Sequence, residues 1–130
     1  MTKHILTIDD EVVLLEMLYA AFTAMGYRVT SANSAHEALR VVKEDPPHLI
    51  ISDLQMEDAD GLELVEKIKA ILPDVPIILL TGVIFDTEVI DESISKKVSC
   101  YMPKTTPLKQ ITQTVHRLLG ETKRESPPPA

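Results

Sequence analysis

Five short apolar runs recur along this chain, and each is followed by a segment with helical spacing. His4 to Ile8 has the character of a strand. Leu15, Leu18, Tyr19 and Phe22 then form the inward stripe of a helix, and Gly26 suits its end. Tyr27 to Ala32 reads as a second strand, more polar than the others and so suited to a sheet edge. Ser34-x-x-Glu37 is a capping box that opens a helix with Ala35, Ala38, Leu39 and Val42 on one face. Asp45-Pro46-Pro47 stops it, because a residue before proline is pushed out of the helical region. Leu49 to Ile51 is a near-continuous apolar strand that ends at Asp53.

The second half repeats the pattern. Leu62, Val65, Ile68 and Leu72 mark a third helix, closed by Pro73. Ile77 to Leu80 is a buried strand ending at Thr81, and Asp86 to Lys97 is a weaker helical segment with Ile90 and Ile94. Val98 to Pro103 is the fifth strand, and Pro103 confines it to an edge because proline cannot donate to a ladder. Leu108, Ile111, Val115 and Leu118 make the last helix, with Pro107 at its start and Gly120 at its end. Five βα units in succession require a parallel sheet covered on both faces. Right-handed crossovers with the polar strands outside give the order 2-1-3-4-5, the flavodoxin-like doubly wound (βα)5 arrangement of an α/β chain. Residues 1–120 read as one domain, and 121–130, charged and then proline-rich, as a flexible tail or linker stub.

Composition narrows the function. The formal charge is -7, with 13 Lys and Arg against 20 Asp and Glu, which argues against direct nucleic-acid binding through a basic surface. The one cysteine, Cys100, rules out an internal disulfide and a Cys-based metal cluster, which suits a reducing cytoplasm. The longest mostly apolar stretch, Val75 to Phe85, contains Pro76, Thr81 and Gly82 and does not suit membrane insertion.

Ligands of such sheets sit beyond the carboxyl ends of the strands, near the switch point between strands 1 and 3. Asp9 and Asp10 follow strand 1, Asp53 follows strand 3, Thr81 strand 4 and Lys104 strand 5. Three carboxylates gathered there repel one another. At an effective dielectric of about 20, each pair at about 4 Å costs on the order of 4 kcal/mol. A hard divalent cation held by oxygen ligands, Mg²⁺ above all, relieves that repulsion, and Lys104 adds a further positive charge. A metal, a lysine and a hydroxyl are also what phosphoryl transfer requires around its equatorial oxygens, and a carboxylate can be the nucleophile.

On these residues the chain resembles the receiver domains of two-component response regulators, over about residues 3 to 120. Asp9-Asp10-Glu11 is similar to the family's acidic cluster, and Asp53 to Gly61 to its phosphoacceptor loop. Thr81-Gly82 and Tyr101-Met102-Pro103-Lys104 are similar to its switch segments. The resemblance implies that Asp53 accepts the phosphoryl group, in a domain that catalyses its own phosphorylation and dephosphorylation. It implies Mg²⁺ on Asp10, Asp53 and the Gln55 carbonyl, with Asp9 helping through water. Thr81 and Lys104 would hold phosphoryl oxygens, and Tyr101 would reorient with Thr81. The donor would be a phosphohistidine on a sensor histidine kinase or histidine phosphotransfer protein, and the output a downstream protein or domain. The chain departs from the family's usual pattern at Glu57 and Thr105, where proline is common, and at Val98-Ser99, where Gly-Ala is common. Without proline at 105, the Lys104-Thr105 bond should be trans.

Plainer readings exist for each residue alone. Asp9 and Asp10 are good helix-capping acids, Thr81 a good turn residue, Tyr101 an edge-strand filler and Lys104 a solvated charge. Their joint placement at strand ends outweighs these. A haloacid-dehalogenase-type phosphatase needs Asp-x-Asp after strand 1, and a flavodoxin needs a hydroxyl-rich phosphate loop there; Asp9-Asp10-Glu11 is neither. A degenerate receiver that binds partners without phosphorylation is the alternative. One surface is singled out as well. Val13, Met17, Ala20 and Ala24 fall opposite the inward stripe of the first helix, so that helix is apolar all round, the mark of a second buried side. A kinase or phosphotransfer partner lying there would sit beside Asp10.

Overall fold

The computed structural model describes residues 2–53, 61–82 and 98–120. Its elements are β1 (His4–Ile8), α1 (Val12–Ala24), β2 (Arg28–Ala32), α2 (Ala35–Glu44), β3 (Leu49–Ser52), α3 (Gly61–Ile71), β4 (Ile77–Thr81), β5 (Cys100–Pro103) and α4 (Leu108–Leu118). The helical segment expected over 86–97, and the tail over 121–130, lie outside the described residues. The strands form one sheet in the order β2-β1-β3-β4-β5, with every pair parallel. Both expected edge strands are at the edges. The fifth strand is shorter than the sequence suggested, because Val98 and Ser99 precede its ladder.

Strand alternation divides the interior into two cores. Leu6, Ile8, Ile50, Ile77 and Leu79 turn to one face, where α2 and α3 cover them through Ala38, Val42, Leu64, Val65 and Ile68. Ile5, Leu49, Ile51, Ile78 and Leu80 turn to the other, under α1 and α4, with Leu18, Phe22, Ile111 and Val115. Because β1, β3 and β4 are buried on both faces, they read as continuous apolar runs rather than alternating ones.

Helix ends follow from local chemistry. The Ser34 hydroxyl accepts the Glu37 N–H at 3.1 Å, and the Glu37 carboxylate accepts the Asn33 N–H at 3.1 Å, so the predicted capping box closes one residue before the cap. At the end of α1, Gly26 has φ +97°. The Tyr27 N–H reaches the Phe22 carbonyl and the Gly26 N–H that of Thr23, the Schellman pattern. The Phe22 and Tyr27 rings meet edge to face at 6.2 Å across the same turn. A Cβ at position 26 would meet nothing within 4 Å, so only backbone strain opposes a side chain there. Gly26→Ala should therefore cost about 1–2 kcal/mol in urea unfolding, and Gly26→Asn, which tolerates the left-handed region better, clearly less.

One expectation fails. Helical spacing puts Tyr19 on the inward stripe of α1, yet it is 51 % exposed, while Leu15, Leu18 and Phe22 are buried. Tyr19 lies one residue, about 100°, past Leu18 on the helix. Its ring therefore comes out over the α1 edge, beside Val12, Ser31 and Asn33.

Candidate functional site

The carboxyl ends of the strands carry the expected acids, and the sheet itself holds two of them. The Asp9 N–H donates to the Ala32 carbonyl at 3.1 Å and the Asp53 N–H to the Ile8 carbonyl at 3.1 Å, continuing the β1–β2 and β3–β1 ladders one step past the strands. Asp9 and Asp53 are buried, at 3 % and 4 % exposure, and Asp10 is exposed. One carboxylate oxygen from each of Asp9, Asp10 and Asp53 lies within 4.8 Å of the others.

Lys104, just past β5, reaches into this group. Its Nζ is 2.9 Å from Asp9 Oδ2 and 3.1 Å from Asp53 Oδ2, and it also donates to Glu11. Burial works against the lysine charge, but the hydrogen bonds to Glu11, Asp9 and Asp53 outweigh it and push the ammonium pKa above the usual lysine range. Burial likewise raises the Asp9 carboxyl, while the Glu11 amide and Lys104 pull it down and the neighbouring Asp53 charge adds to the rise.

Asp9, Asp10, Asp53 and Lys104 are thus brought together at one end of the sheet. Thr81 ends β4, where it pairs with Pro103. Tyr101 pairs with Leu79 in β5 and is partly buried against the α2–α3 core. Gln55 and Glu57 lie outside the described residues. There is no cis peptide among the described residues, so Lys104-Thr105 is trans, and the ammonium still reaches Asp53. Glu11 is the residue that sequence reasoning missed as a partner of Lys104. The available signal was a glutamate at the N-cap of a helix, a place that favours Ser, Thr, Asp or Asn.

Residues 5–116 match the response regulator receiver domain. This chain belongs to that family. The transcriptional regulatory protein GlrR of Escherichia coli (strain K12) is 41% identical to it over 79 residues, 61% of this chain and 18% of GlrR, so the chain spans less than a fifth of that relative's length. Among solved structures, the CheY-like receiver domain protein of Methanospirillum hungatei JF-1 superposes with a TM-score of 0.86 at 25% identity, covering 97% of this chain and 100% of that one. The response regulator TrrA of Thermotoga maritima, in complex with Mg(2+)-BeF, gives a TM-score of 0.79 at 30% identity and covers 90% of this chain and 99% of its own. Receiver domains of this family are phosphorylated by histidine kinases. No helix among the described residues is long and apolar enough to cross a membrane.

Proposed function

We propose that this receiver accepts a phosphoryl group on Asp53 in the cytoplasm, from a phosphohistidine on a sensor kinase or phosphotransfer protein, and thereby switches its binding to a downstream protein or domain. The observation that carries this reading is the buried Asp53 carboxylate, with Lys104 at 3.1 Å and two further carboxylates within 4.8 Å. An Asp53 oxygen attacks phosphorus as the bond from phosphorus to the histidine nitrogen breaks, and the electron pair leaves on that nitrogen. Lys104 is placed to hold charge on the phosphoryl oxygens. Thr81 would hold another oxygen, and Tyr101 would follow it in the switch.

The residues present fit a divalent cation. Among the described residues, Asp9, Asp10, Glu11 and Asp53 set four carboxylates against the Lys104 ammonium, and the donors are hard oxygens. Asp9, Asp10 and Asp53, with the Gln55 carbonyl, would hold Mg²⁺; the TrrA relative is described in complex with Mg(2+)-BeF, which supports Mg²⁺ as the ion. When bound, the ion supplies positive charge to the phosphoryl oxygens. The test is incubation with acetyl phosphate and Mg²⁺ followed by intact mass. One phosphoryl group should be added, and none in Asp53→Asn. No addition to the unsubstituted chain would favour a phosphorylation-independent interaction module instead.

The partner reading rests on the outer face of α1. Val13 is 78 % exposed and Met17 45 %, and Ala20 and Ala24 are exposed beside them. An apolar face of this kind marks an interaction site, and α1 begins two residues after Asp10. Met17→Glu should slow transfer from a phosphorylated protein donor by about tenfold or more. Labelling by acetyl phosphate should stay near the unsubstituted rate, since the site is intact. Equal slowing of both reactions would remove α1 from the docking surface.

A further inference from the structure

We propose that Glu11 is a positioning residue that latches the Lys104 ammonium while Asp53 is unmodified and so slows its phosphorylation. This rests on Asp53 being the phosphoacceptor, as proposed above. Glu11 is the N-cap of α1, yet its side chain makes no capping hydrogen bond. Its N–H is donated to Asp9 Oδ1 at 2.9 Å, and its carboxylate lies on Lys104 Nζ. The helix end thus gains no hydrogen bond from this side chain, and the lysine gains a third carboxylate.

The three contacts are not equivalent. The Asp9 and Asp53 side chains are 4% and 6% exposed, whereas that of Glu11 is 59% exposed, with Lys104 between them at 19%. Glu11 therefore approaches the ammonium from the solvent side, and the two aspartates approach from within. An ammonium has three N–H donors, and three carboxylates already claim them. While Asp53 is still a carboxylate, an incoming phosphoryl oxygen can be met only when one claim is given up. Glu11 is the partner that water replaces most cheaply, because it stays solvated when released. Leaving Glu11 is then part of the cost of each phosphorylation, and regaining it favours return to the unmodified state.

Glu11→Gln removes the latch and also one negative charge near an anionic donor. Glu11→Asp separates these effects: it keeps the charge but is a methylene shorter and suits the vacant capping role. Both variants should be labelled by acetyl phosphate about two- to fivefold faster than the unsubstituted chain, the range set by an exposed ion pair. Acceleration by Gln alone would make the effect one of general charge and overturn the latch, as would acceleration by neither. The second readout is the Lys104 ammonium resonance in ¹⁵N spectra of the unmodified protein, which should shift in both variants. With Mg²⁺ and beryllofluoride bound, the three chains should give the same resonance. An unchanged resonance in both variants of the unmodified protein would overturn the contact. If no chain takes label at all, it is the phosphoacceptor reading that falls, and the ammonium spectra alone then decide the contact.

Discussion

Lys104→Met should lower the stability of the metal-free protein by about 3 kcal/mol at neutral pH. Methionine keeps the length of the stem but leaves the buried Asp9 and Asp53 carboxylates facing each other with no ammonium between them. Removing one partner from a buried charged group leaves the other's desolvation unanswered, which is why the expected loss exceeds that for a surface ion pair. The deficit should shrink as the pH falls. Burial already lifts the Asp9 carboxyl above its ordinary value, and Lys104 is one of the groups pulling it back. With Lys104 gone, the folded-state value rises further above the unfolded one. Between the two values the native state binds more protons, so its stability increases as pH drops through that window. Urea midpoints at pH 7 and pH 5 measure this. A deficit of the same size at both would mean that Lys104 supports the fold through packing rather than charge.

Magnesium should raise the stability of the unsubstituted chain by roughly 2.7 kcal/mol when free Mg²⁺ is a hundredfold above its dissociation constant. Asp10→Asn should abolish that response. It should also make the metal-free protein more stable, because Asp10 adds a third carboxylate to a cluster already within 4.8 Å. Thermal melts with and without MgCl₂, at matched ionic strength, separate specific binding from screening. A full Mg²⁺ response in Asp10→Asn would place the ion elsewhere and leave these acids without a metal-binding role.

Much of this site could be read from the chain because strands put their chemistry at their ends. Asp9 and Asp53 follow runs that must lie in the sheet centre, since Ile5, Leu6, Leu49, Ile50 and Ile51 leave no polar face. Once both strands are central and parallel, their last residues must be neighbours. The edge positions of β2 and β5 followed from polarity and from Pro103 in the same way. Tyr19 is hard to place from spacing because apolar residues surround α1 except at Glu16, so the spacing has no single inward direction; only the packing of Leu18 and Phe22 selects one. The Glu11–Lys104 contact joins residues 93 apart. Local periodicity cannot place one side chain of an acidic triplet on a distant lysine, because that choice is made by the loop after β5 and the first turn of α1.

The ladder bonds at Asp9 and Asp53 divide the work of signalling between two kinds of structure. Both residues commit their main-chain hydrogens to neighbouring strands, so neither can swing without unzipping the sheet. In the proposed reaction the phosphoacceptor, Asp53, is the stationary party. Any rearrangement that carries the message outward has to be made by groups that come to it. In the proposed reaction Lys104, tied to the acids through its side chain beyond the end of β5, is one of them. On the proposed reaction, the covalent event and the movement would belong to different strands.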